Sequence, residues 1–197
     1  MKYYKITNEE ECHHGMQYQD GLNIDIKEFN PSGSCEPGGI YYSSEDIFSF
    51  LSYGVWIREV TIPEDAQTYK DPDSDIVKWK ADKVILGPRR RITFDIIKEL
   101  IDEGANIHAQ CDYVLRTYAE RGNLEAVKYL VEHGADIHAD NDFALRYASR
   151  NGYFEVVKYL VEQGADIHAQ DDYVLHCALA HDHLDIAEYL KKEMEKK

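Results

Sequence analysis

Three histidines recur at one spacing in this chain, His108, His138 and His168, each 30 residues from the next. Metal ligation is the first chemistry such a set could perform. Stacked helices sit about 8–10 Å apart, whereas a shared zinc needs nitrogen–metal distances of about 2.0–2.1 Å. Successive units are therefore badly placed to share an ion, and the three read as local hydrogen-bonding groups in a turn. A looser set, His176, His181 and His183, could bring His176 and His183 to one helix face, but with no ligand spacing. Cys12-His13-His14 with Cys35 is a third candidate, and its spacing matches no standard site. The four cysteines, Cys12, Cys35, Cys111 and Cys177, form no CxxC pair and read as reduced thiols of a cytosolic protein. No glycine-rich phosphate loop, nucleophile elbow or HExxH motif occurs. These residues imply no metal, no cofactor and no enzyme.

The chain has 197 residues, enough for one domain or two small ones. With 30% charged and 44% hydrophobic residues it has a globular composition. The formal charge of −15 repels phosphate backbones and argues against a nucleic-acid partner. The one basic cluster, Arg89-Arg90-Arg91, could touch a phosphate or an acidic partner, or could be a solvated junction between domains. No apolar run approaches the roughly 18 residues that span a bilayer, and Met1 to Lys5 lacks the apolar stretch of a signal peptide. The expected setting is cytoplasmic, with no membrane and no nucleic acid.

The elements that would position side chains are set by an internal repeat. LIDEGANIHA (100–109), LVEHGADIHA (130–139) and LVEQGADIHA (160–169) align without gaps, as do Gly104, Gly134 and Gly164. Each unit holds two short helices. The first runs near Asp142 to Arg150 and is broken by Asn151-Gly152. The second runs near Tyr153 to Gln163, with Val156, Val157, Leu160 and Val161 forming one apolar stripe, and Gly164 stops it. Helices this short are marginal alone and must stack on neighbouring units. Ile92 to Gly104 supplies only a second helix, so the first unit is partial and its open face needs cover from upstream residues. Lys191 to Lys197 reads as a polar C-terminal cap.

The segment Leu124 to Ala139, LEAVKYLVEHGADIHA, resembles the ankyrin family, whose second helix and turn commonly read LEVVKYLVEHGADVNA. The resemblance recurs in register. Ankyrin units are about 33 residues long and open the first helix with Thr-Pro-Leu-His. Here the period is 30, and Tyr113-Val114, Phe143-Ala144 and Tyr173-Val174 replace Thr-Pro. The resemblance implies short turns in place of β-hairpin fingers and a smaller concave face. Short repeats of this kind are similar to the ankyrin proteins of giant DNA viruses of amoebae.

Residues 1–88 read as a small α+β domain, with repeats from 89 to 197. The fold class is thus an α+β N-terminal domain followed by an all-α ankyrin-type repeat solenoid, about three units plus the partial one. Strands are expected near Lys2–Ile6, Gly39–Tyr42, Trp56–Ile62 and Lys80–Leu86. Ser44 to Tyr53 reads as a helix capped by Ser44 and ended by Gly54. Asn30–Ser34 and Glu36–Gly39 read as turns, and Glu64 to Asp75 as an acidic loop. This half resembles the region preceding the repeats in many giant-virus ankyrin proteins. The matching stretches are His14-Gly15, Asp20 to Asn23, Phe29 to Cys35, Pro37 to Tyr41, Phe50 to Gly54, Arg58 to Val60 and Lys80 to Asp82. His14-Gly15, Gly21-Leu22 and Gly38-Gly-Ile-Tyr41 also resemble ADP-ribosyltransferases. That second resemblance implies His14 holding a ribose, Tyr41 stacking on nicotinamide and Glu59 steering transfer. The plainer alternative is that His14 and Tyr41 serve the fold.

The leading expectation is a non-enzymatic interaction module. With short turns, partner contacts shift to first-helix residues: Tyr113, Arg116, Arg121, Phe143, Arg146, Arg150, Tyr173 and His176. Aromatic and arginine side chains carry most interface energy. Tyr113, Phe143 and Tyr173 could equally pack between units, and Arg116 and Arg146 could pair with Glu120, Asp112 and Asp142.

Overall fold

The computed structural model describes residues 2–32, 36–72 and 74–196. Cys35 and the end of the Asn30–Ser34 turn lie outside the described residues. The contacts divide the chain into two compact units, Met1–Asn106 and Ile107–Lys197.

The first unit is built on strands β1 (Tyr3–Thr7), β2 (Cys12–His13), β3 (Met16–Gln17), β4 (Gly21–Ile24), β5 (Ile40–Ser43), β6 (Trp56–Thr61), β7 (Thr68–Lys70), β8 (Lys78–Ala81), β9 (Lys83–Leu86) and β10 (Arg90–Arg91). The main sheet runs β4-β9-β6-β1-β5-β8-β7, with β10 on one end of β6, and β2 and β3 form a separate hairpin. β1 is central because it can be buried on both faces: Tyr4, Lys5, Ile6 and Thr7 are all buried. One face packs Tyr18, Ile40, Tyr42, Val60, Val84 and Leu86 into a core. Burial of such side chains contributes about 1.5–3 kcal/mol each.

Two expectations are corrected here. Lys80–Leu86 is not one strand but parts of two, β8 and β9, because the chain reverses at Asp82. The Asp82 carboxylate accepts the Gln67 N–H and its carbonyl accepts the Asp25 N–H, which holds the corner in place. Ser44–Tyr53 is a 3-10 helix over Ile47–Tyr53, preceded by Asp46 and not capped by the Ser44 side chain. Asp46 does not cap it either. Its two carboxylate oxygens take the Val77 N–H and the Asn106 side-chain amide. Ile47 and Phe48 are fully buried, so packing drives this turn more than capping does. The short strands β2, β3, β4, β7 and β10 escaped the sequence reading, since runs of two to four residues carry too little alternation to register.

Helix α1 (Phe94–Asp102) starts at Thr93, whose hydroxyl accepts the Ile96 N–H. It belongs to the first unit, tied there by Glu103, which accepts hydrogen bonds from Lys2 and Tyr4, and by Arg90, which clamps Glu99 with two bonds of 2.8 Å.

The second unit holds three helix pairs: α2 (Ala109–Glu120) with α3 (Leu124–Glu132), α4 (Ala139–Arg150) with α5 (Phe154–Glu162), and α6 (Ala169–Ala180) with α7 (Leu184–Met194). The first helices α2, α4 and α6 stack side by side. The stripe expected on the second helices is buried, as at Val156, Val157 and Leu160. Gly152 shows why its position takes glycine: φ is +79°, and a Cβ there would meet the His183 ring of the next unit at 2.5 Å.

Each first helix opens on three residues in the left-handed region. These are Gln110-Cys111-Asp112, Asp140-Asn141-Asp142 and Gln170-Asp171-Asp172, with φ between 53° and 60°. This tight turn takes the place of the longer ankyrin finger and accounts for the 30-residue period. Left-handed backbone costs about 1–2 kcal/mol per ordinary L-residue, and Asn and Asp tolerate it best. Gln110, Cys111 and Gln170 fit this region less well, and Cys111 is exposed with φ of 55°. Cys111→Asn copies what the second unit already has at Asn141. It should raise stability by up to about 1 kcal/mol, read as a higher urea midpoint at unchanged slope.

Candidate interaction surface

The histidine and acid residues that repeat every 30 positions form a tie between units. Asp112 and Asp142 are buried. The Asp112 Oδ1 accepts the Asp136 N–H of the next unit at 2.9 Å, and Asp142 Oδ1 accepts the Asp166 N–H at 2.8 Å. His108, His138 and His168 lie at 3.2, 3.1 and 2.6 Å from the carboxylates of Asp112, Asp142 and Asp172. Each histidine therefore hydrogen-bonds within its own turn, as their position suggested. In the last unit Asp172 is about half exposed. His181 Nδ1 lies 3.0 Å from the Cys177 carbonyl and His183 Nε2 3.0 Å from the Arg150 carbonyl.

The eight first-helix residues proposed from sequence fall into two groups. Five form a ladder of alternating rings and guanidiniums across α2, α4 and α6. Arg116 sits 6.0 Å from the Tyr113 ring and 4.8 Å from the Phe143 ring, and Arg146 lies 5.7 Å from Phe143 and 5.8 Å from Tyr173. Such contacts are worth about 0.5–1 kcal/mol each when exposed. The arginines also hold the left-handed turns. Arg116 donates to the Gln110 carbonyl and to the Asp140 carboxylate, and Arg146 donates to the carbonyls of Asp140 and Asn141 and to Gln170. Their partners are therefore turn carbonyls and the next unit, not Glu120, Asp112 or Asp142. Arg146 is buried and Arg116 half-buried, so both face inward more than the sequence suggested.

The other three stand outside the ladder. Arg121 is exposed at the end of α2, Arg150 is exposed beside the Tyr147 ring, and His176 is exposed on α6. Tyr147 itself stacks on Phe143 with ring centres 3.8 Å apart, a contact the repeat pattern did not reveal because Thr117 and Cys177 occupy the equivalent positions. Tyr173, on the last unit, is the most open rung.

The residues matched to ADP-ribosyltransferases are in the first unit. His14 and Tyr41 line one cavity of about 280 Å³. Glu59 does not. It is exposed on β6, 3.9 Å from Lys2. Among the described residues no group of three or more His, Cys, Asp or Glu side chains could hold a metal. Other matched residues are structural. Arg58 is buried and binds Glu11 through two bonds of 2.7 and 3.1 Å, Asp20 at 2.5 Å and the Gly87 carbonyl at 2.6 Å. Lys80 Nζ donates to the Asn30 carbonyl at 2.8 Å. Its stem crosses Gly39 so closely that a Cβ there would lie 2.4 Å from it. The basic run Arg89–Arg91 is also used within the first unit. Arg89 bonds Glu11 at 3.1 Å, and Arg89 and Arg91 lie over the Trp56 ring.

Stacked helix pairs of constant period, tied by a repeated acid and turning on short loops, define a helical repeat protein of the ankyrin class. A family model described as ankyrin repeats, three copies, matches residues 90–171, a span that begins in the first unit and takes in α1. Relatives from Acanthamoeba polyphaga mimivirus agree. Ankyrin repeat protein R868 is 40% identical over 111 residues, 54% of this chain and 55% of that protein. The uncharacterized protein R869 is 39% identical over 127 residues, 62% of this chain and 92% of that protein. Ankyrin repeat protein R229 is 40% identical over 134 residues, 61% of this chain and 44% of that protein. The chain belongs to the ankyrin repeat family, in the form found in a giant virus of amoebae. It spans about half the length of R868 and less than half of R229. Ankyrin repeats are protein-interaction modules, and in general they act as scaffolds without catalysis. No helix among the described residues is long and apolar enough to cross a membrane.

Proposed function

We propose that the repeats bind a host or viral protein in the host cytoplasm through the first-helix face, at Tyr113, Arg116, Arg121, Phe143, Arg146, Arg150, Tyr173 and His176. The observation that carries this reading is the ladder from Tyr113 to Tyr173. Its inner rungs are held by bonds to turn carbonyls, so a partner meets a preorganised surface and little side-chain entropy is lost on binding. The exposed members, Arg121, Arg150, Tyr173 and His176, supply direct contacts, while Arg116 and Arg146 keep the rings in place.

The test uses the full chain and its Arg150→Ala/Tyr173→Ala/His176→Ala variant, each crosslinked in amoeba extract and in infected-cell extract. The variant should melt within about 6 °C of wild type, because surface changes of this kind shift stability by about 0.5 kcal/mol each or less. It should lose the partners recovered with wild type. Identical recoveries from a folded variant would place the contact elsewhere.

A second reading, an ADP-ribosyltransferase-like effector targeted by the repeats, is favoured by one observation: His14 and Tyr41 share a cavity. The exposed position of Glu59, away from that cavity, counts against it. Titration of the full chain with millimolar NAD decides, and no binding by a folded protein ends this reading.

A further inference from the structure

The cavity in the first unit has a physical origin in the sheet. β1 and β5 are joined at a single register pair, Tyr4 with Ser43. Where the ladder stops, Lys5 reaches across and donates to the Tyr41 carbonyl at 3.0 Å. The space beside this gap, about 280 Å³, is walled largely by rings. Lys5 is only 6% exposed, yet no carboxylate among the described residues lies within ion-pair distance of it. Its remaining contact is the Tyr18 ring, 4.5 Å away.

A second buried lysine, Lys80, lies 5.1 Å from the Tyr41 ring and donates to the Asn30 carbonyl, but it does not line the cavity. The other cations beside Lys5 are matched. Arg58, beside Lys5 in the strand register, is neutralised by Glu11 and Asp20. Lys78, on the cavity wall, pairs with Asp71 at 3.4 Å. Burial at the wall, with Lys5 and His14 nearby, lowers His13 to about 4, so it is neutral at pH 7. Asp25 acts on Lys5 only through space and favours its charge, while burial lowers Lys5 to about 8. At neutral pH Lys5 is therefore a buried cation among rings with no carboxylate in contact among the described residues. A buried cation without a counter-ion is costly, and a bound monoanion would remove that cost.

We propose that this cavity binds a small aromatic carboxylic acid, its carboxylate on Lys5 and its ring among Tyr18, Tyr41, Tyr42, Phe50 and Tyr53. A single unmatched ammonium suits a monoanion better than a phosphate dianion. The volume lies just under the roughly 300–1,000 Å³ of drug-sized sites, which limits the ligand to one or two fused rings. The proposal is independent of the repeat-face reading; it shares the cavity and Tyr41 with the NAD reading and differs from it by resting on Lys5.

The test titrates the full-length protein with indole-3-acetate and its neutral isostere indole-3-acetamide, by calorimetry. Wild type at pH 7 should prefer the acid at least tenfold. That preference should shrink as pH rises well above 8, where Lys5 loses its proton. Lys5→Met keeps the stem and removes the charge, so it should bind acid and amide alike. Tyr53→Ala, at the exposed mouth, should weaken both ligands together and leave the preference unchanged. The pH series on wild type keeps the test decisive even if Lys5→Met fails to fold. No binding of either indole at 10 mM, no preference for the acid in wild type, or a preference that persists in folded Lys5→Met would overturn the proposal.

Discussion

Replacing Arg58 with methionine should destabilise the first unit by about 3–5 kcal/mol, the usual cost of leaving one partner of a buried ion pair unmatched. The guanidinium is the only group that binds both Glu11 oxygens, Asp20 and the Gly87 carbonyl among the described residues. Without it, the buried Glu11 carboxylate keeps Arg89, itself half exposed, and a weak bond from Thr7 at 3.4 Å. Glu11→Leu should cost a similar amount by stranding the guanidinium. The double variant Arg58→Met/Glu11→Leu should recover most of the loss, because an apolar pair of similar volume often replaces a buried ion pair at little cost. Chemical denaturation of the four proteins gives the coupling energy directly. Additive losses in the double variant would show that the two residues do not act as a pair.

The same network sets a pH dependence. Hydrogen bonds from Arg58 hold the Glu11 carboxyl below its ordinary range. A carboxyl with a depressed folded value contributes stability that is present above its unfolded value, about 4.3. That stability is lost as pH falls through the folded value, because the unfolded chain takes up the proton first. Wild type should therefore lose stability on acidification below about pH 4.3, and the apolar double variant should lose less over the same range.

Asp142→Ala should cost about 2.5–4 kcal/mol. About 1.5–3 of this comes from the lost charge-assisted bond to the Asp166 N–H, and about 1 from placing alanine at a left-handed position. Asp112→Ala should behave alike, since its bond to the Asp136 N–H is equivalent. Asp172→Ala should cost about 1 kcal/mol, because it carries the same left-handed penalty but its half-exposed carboxylate makes no bond to a following unit among the described residues. Asp142→Asn keeps both the acceptor oxygen and the left-handed preference, so it should stay within about 1 kcal/mol of wild type. Urea midpoints order these variants, and equal losses at all three aspartates would refute an inter-unit tie.

Much of the repeat unit was legible before any fold was known. The spacing of Gly134 and Gly164 marks the helix ends, and Val156, Val157 and Leu160 mark the buried stripe, because helix periodicity is written in neighbouring residues. The three missing residues per unit implied a short turn. That the turn is left-handed, and that Arg116 and Arg146 hold it, was not legible. An arginine four residues after an aspartate reads equally well as an ordinary helix pair. Their spacing suggests contacts or ion-pair partners, whereas in the fold both arginines brace backbone carbonyls.

In the first half the balance tips toward tertiary structure. The strands at Tyr3–Thr7 and Trp56–Thr61 could be read from β-branched and aromatic content, but not their places in the sheet, which depend on pairings between distant segments. Glu11 and Arg58 are separated by 47 positions and meet only because β6 lies beside β1. Lys5 is an unremarkable residue in sequence. Only the parting of β1 from β5 buries it without a counter-charge and opens a ring-lined space beside it. The sequence by itself determined the repeat, its period and its family, since these rest on local patterns. The tertiary structure alone decided which charges are matched and which are not, because in a folded chain the surroundings of a charge come from residues far away along it.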